Sequence, residues 1–271
     1  MFVAGIDAHS RYVKVVVVDR MGERVLGPTR VNVNDAARLA SVLTPFRPLA
    51  AVVETSSAWP WVAEVLGGPG VTLVLAHAKR LRAIAEATYK SDDIDAEVLA
   101  RMQLAGLIPR VYATPAEQRE WATLIRHRTT LVRERTALLN RVHAQLHLCG
   151  LYLERGRLLT RAGWRWLRTT AWGRLSIEQR ALVRTHRRLI GELCLLIRAA
   201  DRRIAKVAAR IPEARLLMTV PGIGAHRAVL LCAEALPITR FPTPGHLASY
   251  AGLVPCSSQT GLRGVRHGPV P

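Results

Sequence analysis

Four short apolar runs lie in the first third of the chain, and they decide what that third can become. Phe2–Ile6, Tyr12–Val18, Leu49–Val53 and Val71–Leu75 are rich in β-branched residues and end too soon to be helices. A further run, Glu23–Val33, follows a turn at Met21-Gly22-Glu23, so the chain opens as a hairpin series. Val71–Leu75 is apolar throughout, as a strand buried on both faces requires. Helical signals alternate with the later strands. Asn34 or Asp35 can cap a short helix through Leu43. Ser56–Leu66 reads as a helix with Pro60 in its first turn, ended by Gly67-Gly-Pro-Gly70. Ala78–Leu107 reads as one long helical region.

That order, βββαβαβα, is the order of an RNase H-like α/β domain, expected over residues 1–112. Beyond it the pattern changes. Trp121, Leu124, Ile125, Leu131, Val132, Leu138, Leu139, Val142 and Leu146 recur at three- and four-residue steps, with arginines between them. Thr114-Pro115 is placed to serve as cap and first helical residue. Ile177–Ile211 repeats the pattern, so residues 113–211 are expected to form an antiparallel coiled-coil hairpin. The connecting segment, 150–174, interleaves Trp164, Trp166 and Trp172 with arginines. Those rings can stack bases of single-stranded nucleic acid, or they can form the hairpin's core under a solvated face. Residues 212–271 are expected to form a small, mainly α domain with a loop-like tail rich in Gly, Ser, Pro and Arg.

Charge narrows the partners. The chain of 271 residues carries 39 Lys and Arg against 20 Asp and Glu, a net +19. Arginine codons of a GC-rich genome explain why Lys14, Lys79, Lys90 and Lys206 are the sole lysines, but not the excess of base over acid. Such a balance favours polyanions. The cysteines Cys149, Cys194, Cys232 and Cys256 form no CxxC pair, which argues against a zinc site and for a reducing compartment. No apolar run approaches the ~20 residues of a membrane helix, and no basic stretch with an apolar core opens the chain. A cytoplasmic protein, off the membrane, is expected.

Against this basic background the acids stand out. Asp7 follows the first strand, Glu54 closes the Leu49 run, and Asp92 and Asp95 sit at i and i+3 on one helix face. Asp93 faces away. Four gathered carboxylates repel and raise one another's pKa, and Mg²⁺ relieves the repulsion. Two such ions, roughly 3.5–4 Å apart, activate one oxygen and stabilise the leaving one. Read singly, Asp7 is a turn residue and the Asp92–Asp95 stretch a solvated face; the four in this order point to metal and phosphodiester chemistry. Lys90 beside them either contacts phosphate or balances charge.

Pro221-Gly222-Ile223-Gly224, with His226 and Arg227 after it, is helix–hairpin–helix-like. Its glycines permit a tight turn, and the following helix offers its first amides to a phosphate. Such a loop grips the backbone without reading sequence; an ordinary helix–helix turn has the same glycines. Ser257-Ser258-Gln259-Thr260-Gly261 offers hydroxyls that could act as a nucleophile, in a setting common to many loops.

At these residues the chain resembles the bridge-RNA-guided DEDD transposases of insertion sequences, to which the Piv-type invertases are related. The resemblance rests on Gly5-Ile6-Asp7, Glu54-Thr55-Ser56, Lys90-Ser-Asp92-Asp-Ile-Asp95-Ala96, Pro221-Gly-Ile-Gly224, Arg240-Phe241 and Ala248-Ser-Tyr-Ala-Gly-Leu-Val-Pro255. It implies a RuvC-like amino-terminal domain whose acids Asp7, Glu54, Asp92 and Asp95 bind Mg²⁺. It implies a helical spacer that self-associates to a dimer or tetramer, and a carboxy-terminal transposase domain whose serine attacks DNA. A composite site would join the two domains, and a structured guide RNA would choose donor and target DNA in a bacterial or archaeal cell. Lys90, Gly222, Gly224, His226, Arg227, Arg263 and Arg266 would meet nucleic acid. Two features depart from the pattern. Thr260 stands where the family has serine, with a methyl that stiffens χ1, and Ser258 could replace it only if the loop shifted. The chain also stops at Gly268-Pro-Val-Pro271, so the last domain is expected to be truncated. Two further readings follow: a RuvC-like junction nuclease that uses water, and an inactive remnant that still binds nucleic acid.

Overall fold

The structure, a computed structural model, describes residues 1–84, 92–254, 257–258 and 266–267; at 82–84, 92–94 and in the last two segments it describes the backbone alone. The chain divides into two compact units, Met1–Thr114 and Pro115–Pro271.

The first unit is built on one sheet. Strands β1 (Phe2–Ala8), β2 (Tyr12–Val18) and β3 (Arg24–Asn32) form an antiparallel meander. Strands β4 (Leu49–Glu54) and β5 (Val71–Ala76) then run parallel to β1, and β6 (Arg110–Val111) closes the edge antiparallel to β5. The order is β3-β2-β1-β4-β5-β6; its first five strands form the RNase H-like arrangement expected from the sequence, and β6 is an addition at the edge.

Consecutive valines do not make β2 one-sided, because both faces of the sheet are covered. Ala4, Ile6, Val13, Val15, Val17, Ala51 and Val53 point to one face, where helices α1 (Ala36–Leu43) and α2 (Trp59–Leu66) supply Leu39, Leu43, Val62 and Leu66. Val3, Val16, Val18, Ala50, Val52 and Val74 point to the other, against Ala96, Leu99, Ala100 and Met102. The last four belong to helix α4 (Asp92–Leu104). Within the helical region expected from Ala78 to Leu107, the described residues form helices α3 (Ala78–Ile84) and α4, with residues 85–91 outside the described set. Asp35 caps α1 by accepting from the Arg38 amide at 2.9 Å.

The second unit is helical. Helix α5 (Ala116–Leu148) and helix α7 (Ile177–Arg210) pair antiparallel, since Ile125 shares a core with Ile204, and Leu138 and Val142 share another with Val183 and Ile190. Pro115 stands at the N-cap of α5 rather than inside its first turn. Ser176 and Gln179 close a capping box on α7. Between the long helices, α6 (Arg161–Trp166) continues into a π-helical turn, Leu167–Ala171. The segment packs Leu158, Leu167, Ala171 and Leu175 against the pair, with Trp164, Trp166 and Trp172 half-buried beside them. The chain then forms α8 (Pro212–Leu217), α9 (Ala225–Ala235) and α10 (Pro244–Tyr250). One core joins Ile125, Ile204 and Ala208 of the long helices to Ala214, Ala228, Val229 and Cys232. No helix among the described residues is long and apolar enough to cross a membrane.

Candidate active site

The site is built at the carboxyl ends of β1 and β4. Their parallel ladder reaches Ile6 beside Val53, and the next residue on each strand is an acid: Asp7 on β1, Glu54 on β4. Side chains alternate along a strand. Val3 and Gly5 on β1, and Ala50 and Val52 on β4, lie on the α4 face, so Asp7 and Glu54 lie there too. The two acids are thus neighbours on one face. Strand β5 fixes the end of β4 that carries Glu54, because Ala76 is in register with it and the Thr55 amide donates to the Ala76 carbonyl at 3.0 Å. Thr55 also ties the strand end to α3, its Oγ1 accepting from the Ala78 amide at 3.2 Å.

Helix α4 delivers the other pair. Arg24, in register with Val18 at the far end of the meander, bonds Glu97 of α4 at 2.7 Å, and Arg101 bonds Glu97 at 2.8 Å. The later turns of α4 therefore lie over the start of β1, and its first turn lies toward the end that carries Asp7. Asp92 opens that first turn and Asp95 lies within it, exposed. The two components touch at Gly5, where an added Cβ would stand 1.8 Å from the Ala96 carbonyl oxygen and 2.9 Å from the Ala100 nitrogen. Only a residue without a side chain lets the helix come this close. Lys90 and the Asp92 side chain lie outside the described set.

Basic residues lie beside Asp7. His9 Nε2 lies 2.8 Å from Asp7 Oδ2, and the Asp7 side chain is only 15% exposed. His9 leans on Tyr12 at 4.8 Å between ring centroids, and the Arg30 guanidinium covers Tyr12 at 4.0 Å. Lys14 is Asp7's partner in the β1–β2 register. Reading the sequence did not single out His9. Its signal was the Asp-Ala-His spacing, which in extended chain turns two side chains to one side.

The donor chemistry fits a hard divalent cation. Asp7 and Glu54 offer carboxylate oxygens from adjacent strands, and the acids of the α4 first turn are on the same face of the sheet. The buried Ser56 Oγ two residues past Glu54 has no partner. Among the described residues, no three His, Cys, Asp or Glu side chains stand close enough together to hold an ion.

In the second unit, the Pro221-Gly-Ile-Gly loop joins α8 to α9. Gly222 has φ +87°, the left-handed region, and nothing would meet a Cβ on Gly222 or Gly224 within 4 Å. The loop is thus open. Gly224 is the N-cap of α9, and no side chain caps that helix. Arg227 turns back and donates to the Gly222 carbonyl at 2.6 Å. His226 turns inward. Burial, then the Arg128 charge, holds its pKa below the ordinary histidine value, and Nε2 is buried without a partner. Arg128 is itself engaged with Asp201 at 2.9 Å.

The tail contributes a two-stranded pairing, β7 (Ser257–Ser258) with β8 (Arg266–His267), which sets Ser258 opposite Arg266. Thr260 and Arg263 lie outside the described residues.

Two family patterns match this chain. A DEDD transposase pattern of the IS110 type matches residues 4–150, and that of transposases of the IS116/IS110/IS902 family matches residues 214–270. An insertion element IS110 uncharacterized 43.6 kDa protein of Streptomyces coelicolor is 39% identical over 64 residues, which are 24% of this chain and 16% of that protein. Among solved structures, Thermus thermophilus RuvC in complex with a Holliday junction substrate aligns at 20% identity and a TM-score of 0.34, over 41% of this chain and 99% of RuvC. A second RuvC structure from Thermus thermophilus aligns at 22% identity and a TM-score of 0.31, over 41% of this chain and the whole of RuvC.

Proposed function

Because this chain belongs to the IS110 family of DEDD transposases, we propose that it cuts and exchanges DNA strands to move an insertion sequence. The observation that carries this reading is the placement of Asp7 and Glu54 at neighbouring strand ends, on the face where α4 begins with Asp92 and Asp95. In this reading the four acids hold Mg²⁺, which supplies charge neutralisation at the attacked phosphate. His9 orients the Asp7 carboxylate by hydrogen bond, and Lys14 offsets charge beside it. Gly5 fixes the helix against the strand so that both acid pairs keep their spacing. Thr260, or Ser258, provides the hydroxyl that joins DNA.

The nucleic-acid partners follow the net charge of +19. Donor and target DNA are the substrates, and a structured RNA guides the choice between them. The open Gly222–Gly224 loop with the uncapped start of α9 meets the sugar-phosphate backbone, as do Lys90, Arg263 and Arg266. His226 and Arg227 support that loop from within, since one is turned inward and the other is bonded to Gly222. The helical spacer, residues 113–211, carries self-association.

A water-using junction nuclease is the second reading, favoured by threonine at position 260. The two are separated by incubating the protein with its element-end RNA, labelled donor DNA and Mg²⁺, then resolving the products on a denaturing gel that preserves protein–DNA adducts. A slow-migrating adduct that disappears in Thr260→Ala establishes the hydroxyl-nucleophile transposase. Free cut strand without adduct establishes the nuclease. Binding without any cutting makes the chain a nucleic-acid-binding remnant.

A further inference from the structure

The segment between the long helices holds a cavity of about 250 Å³ that the strand chemistry does not use. Its floor is Leu167 and Val183, both buried. Its walls are the indoles of Trp164 and Trp172. Its rim is three exposed guanidiniums, Arg168, Arg184 and Arg187, and no carboxylate lines it. Arg184 stands 5.1 Å from the Trp172 ring centroid and Arg187 stands 5.4 Å from that of Trp164.

Four properties of this cavity agree. The volume falls just under the roughly 300–1,000 Å³ of sites for drug-sized ligands, so it suits one flat ring and excludes a duplex. Two half-buried indoles above an aliphatic floor form a stacking platform that accepts any base. None of the three rim arginines is ion-paired among the described residues, so their donors remain available to phosphate. Residues 150–190 hold ten arginines and two acids, Glu154 and Glu178, a local field that draws a polyanion to the cavity mouth. The π-helical turn Leu167–Ala171 adds a geometric reason. It widens the helix between Trp164 and Trp172 and carries Arg168 on the widened stretch. Wide turns of this kind cost hydrogen-bond geometry and recur where a helix must present a site.

We propose that this cavity captures an unpaired nucleotide of a nucleic-acid strand, its base against Trp164 and Trp172 and its phosphates on Arg168, Arg184 and Arg187. The inference deepens the nucleic-acid reading given above but needs none of the acids of the first unit. It distinguishes single strands from duplexes, which the loop at Gly222 does not. The chemistry is shared by two sources, a loop of a folded RNA and a displaced DNA strand.

The test uses the full chain with oligouridylate and oligodeoxyuridylate strands carrying 5-iodouracil, each alone and as the corresponding duplex. Ultraviolet cross-linking followed by peptide mapping is expected to place the adduct on Trp164 or Trp172. The double variant Arg184→Gln/Arg187→Gln, on exposed positions, is expected to weaken single-strand binding roughly tenfold, through two lost charge-assisted phosphate contacts, and duplex binding much less. Trp172→Phe, which keeps an aromatic ring, is expected to retain binding, whereas Trp172→Leu loses it with the helical circular dichroism unchanged. Preferential capture of the ribo strand assigns the site to RNA, and of the deoxy strand to DNA; equal capture assigns it to any unpaired strand. Cross-links confined to other peptides, or equal losses for single strand and duplex, overturn the proposal. A chain that cuts no DNA yet cross-links at Trp164 or Trp172 removes the transposase reading and leaves this one standing.

Discussion

Gly5 of β1 and Ala96 of α4 meet backbone to backbone, with 1.8 Å between the place a Cβ would occupy and the Ala96 carbonyl oxygen. The neighbour is main chain and cannot rotate away. Gly5→Ala must therefore lift α4 off the sheet, together with the acids in its first turn. We expect a loss of at least the ~1–3 kcal/mol typical of overpacked sites, measured by urea unfolding, and loss of DNA cutting even where the variant stays folded.

Asp7→Asn keeps the shape of the side chain and removes its charge. It is expected to abolish Mg²⁺-dependent cutting while leaving RNA binding within about twofold in a filter assay, since the summed surface charge far outweighs one half-buried acid in polyanion affinity. Cutting that survives the change would mean that Asp7 holds no metal. His9→Ala should be milder, about 10–100-fold in rate, the effect of losing an orienting partner rather than a ligand.

Three histidines of the helical unit set its response to acid. Burial, as the largest cause in each, lowers the pKa of His143, His186 and His226 below the ordinary 6.5. Each then binds its proton more readily unfolded than folded, so stability rises with pH across the interval between the lowered folded value and 6.5. Thermal unfolding followed by circular dichroism is expected to show a melting temperature that holds above that interval and falls as pH drops through it. His226→Gln should flatten the fall, because its buried Nε2 has no partner to accept a charge.

Ser176→Ala removes half of the capping box on α7, where Ser176 Oγ accepts from the Gln179 amide at 3.2 Å and Gln179 Oε1 accepts from the Ser176 amide at 2.9 Å. The cost expected is about 1 kcal/mol, read as a shift of the urea midpoint, with no change in nucleic-acid binding.

Gly222→Ala forces a side chain into a backbone at φ +87°. Space is not the obstacle, since nothing lies within 4 Å; the strain is conformational, about 1–2 kcal/mol. A duplex-binding titration should show weaker affinity with a shallower salt dependence, because the loop's amides no longer face the phosphates together.

Much of the first unit was legible in the sequence, and for a physical reason. Val15 to Val18 and Leu49 to Val53 are β-branched or small over stretches too short for helices, and each became a strand within a residue or two of its expected ends. The acids were legible as strand-end residues because they interrupt those runs. Strand β6 was not, because two residues carry no period. The interleaved Trp and Arg of 164–174 were ambiguous because stacking rings and core rings have the same sequence pattern. Packing shows what the pattern could not: Trp164, Trp166 and Trp172 lie half-buried against the core that Leu167 and Ala171 enter. The pairing of His9 with Asp7 was missed although its i, i+2 spacing at a strand end carried the signal.

Helix α7 is a single unbroken element of 34 residues, about 50 Å long. Val183, near its start, belongs to the core that seats the Trp-bearing segment, and Ile204 and Ala208, near its end, belong to the core that seats α9. One continuous rod therefore sets the spacing between the tryptophan-bearing segment and the core that seats α9, so the two nucleic-acid-facing features of this unit are held at a fixed separation.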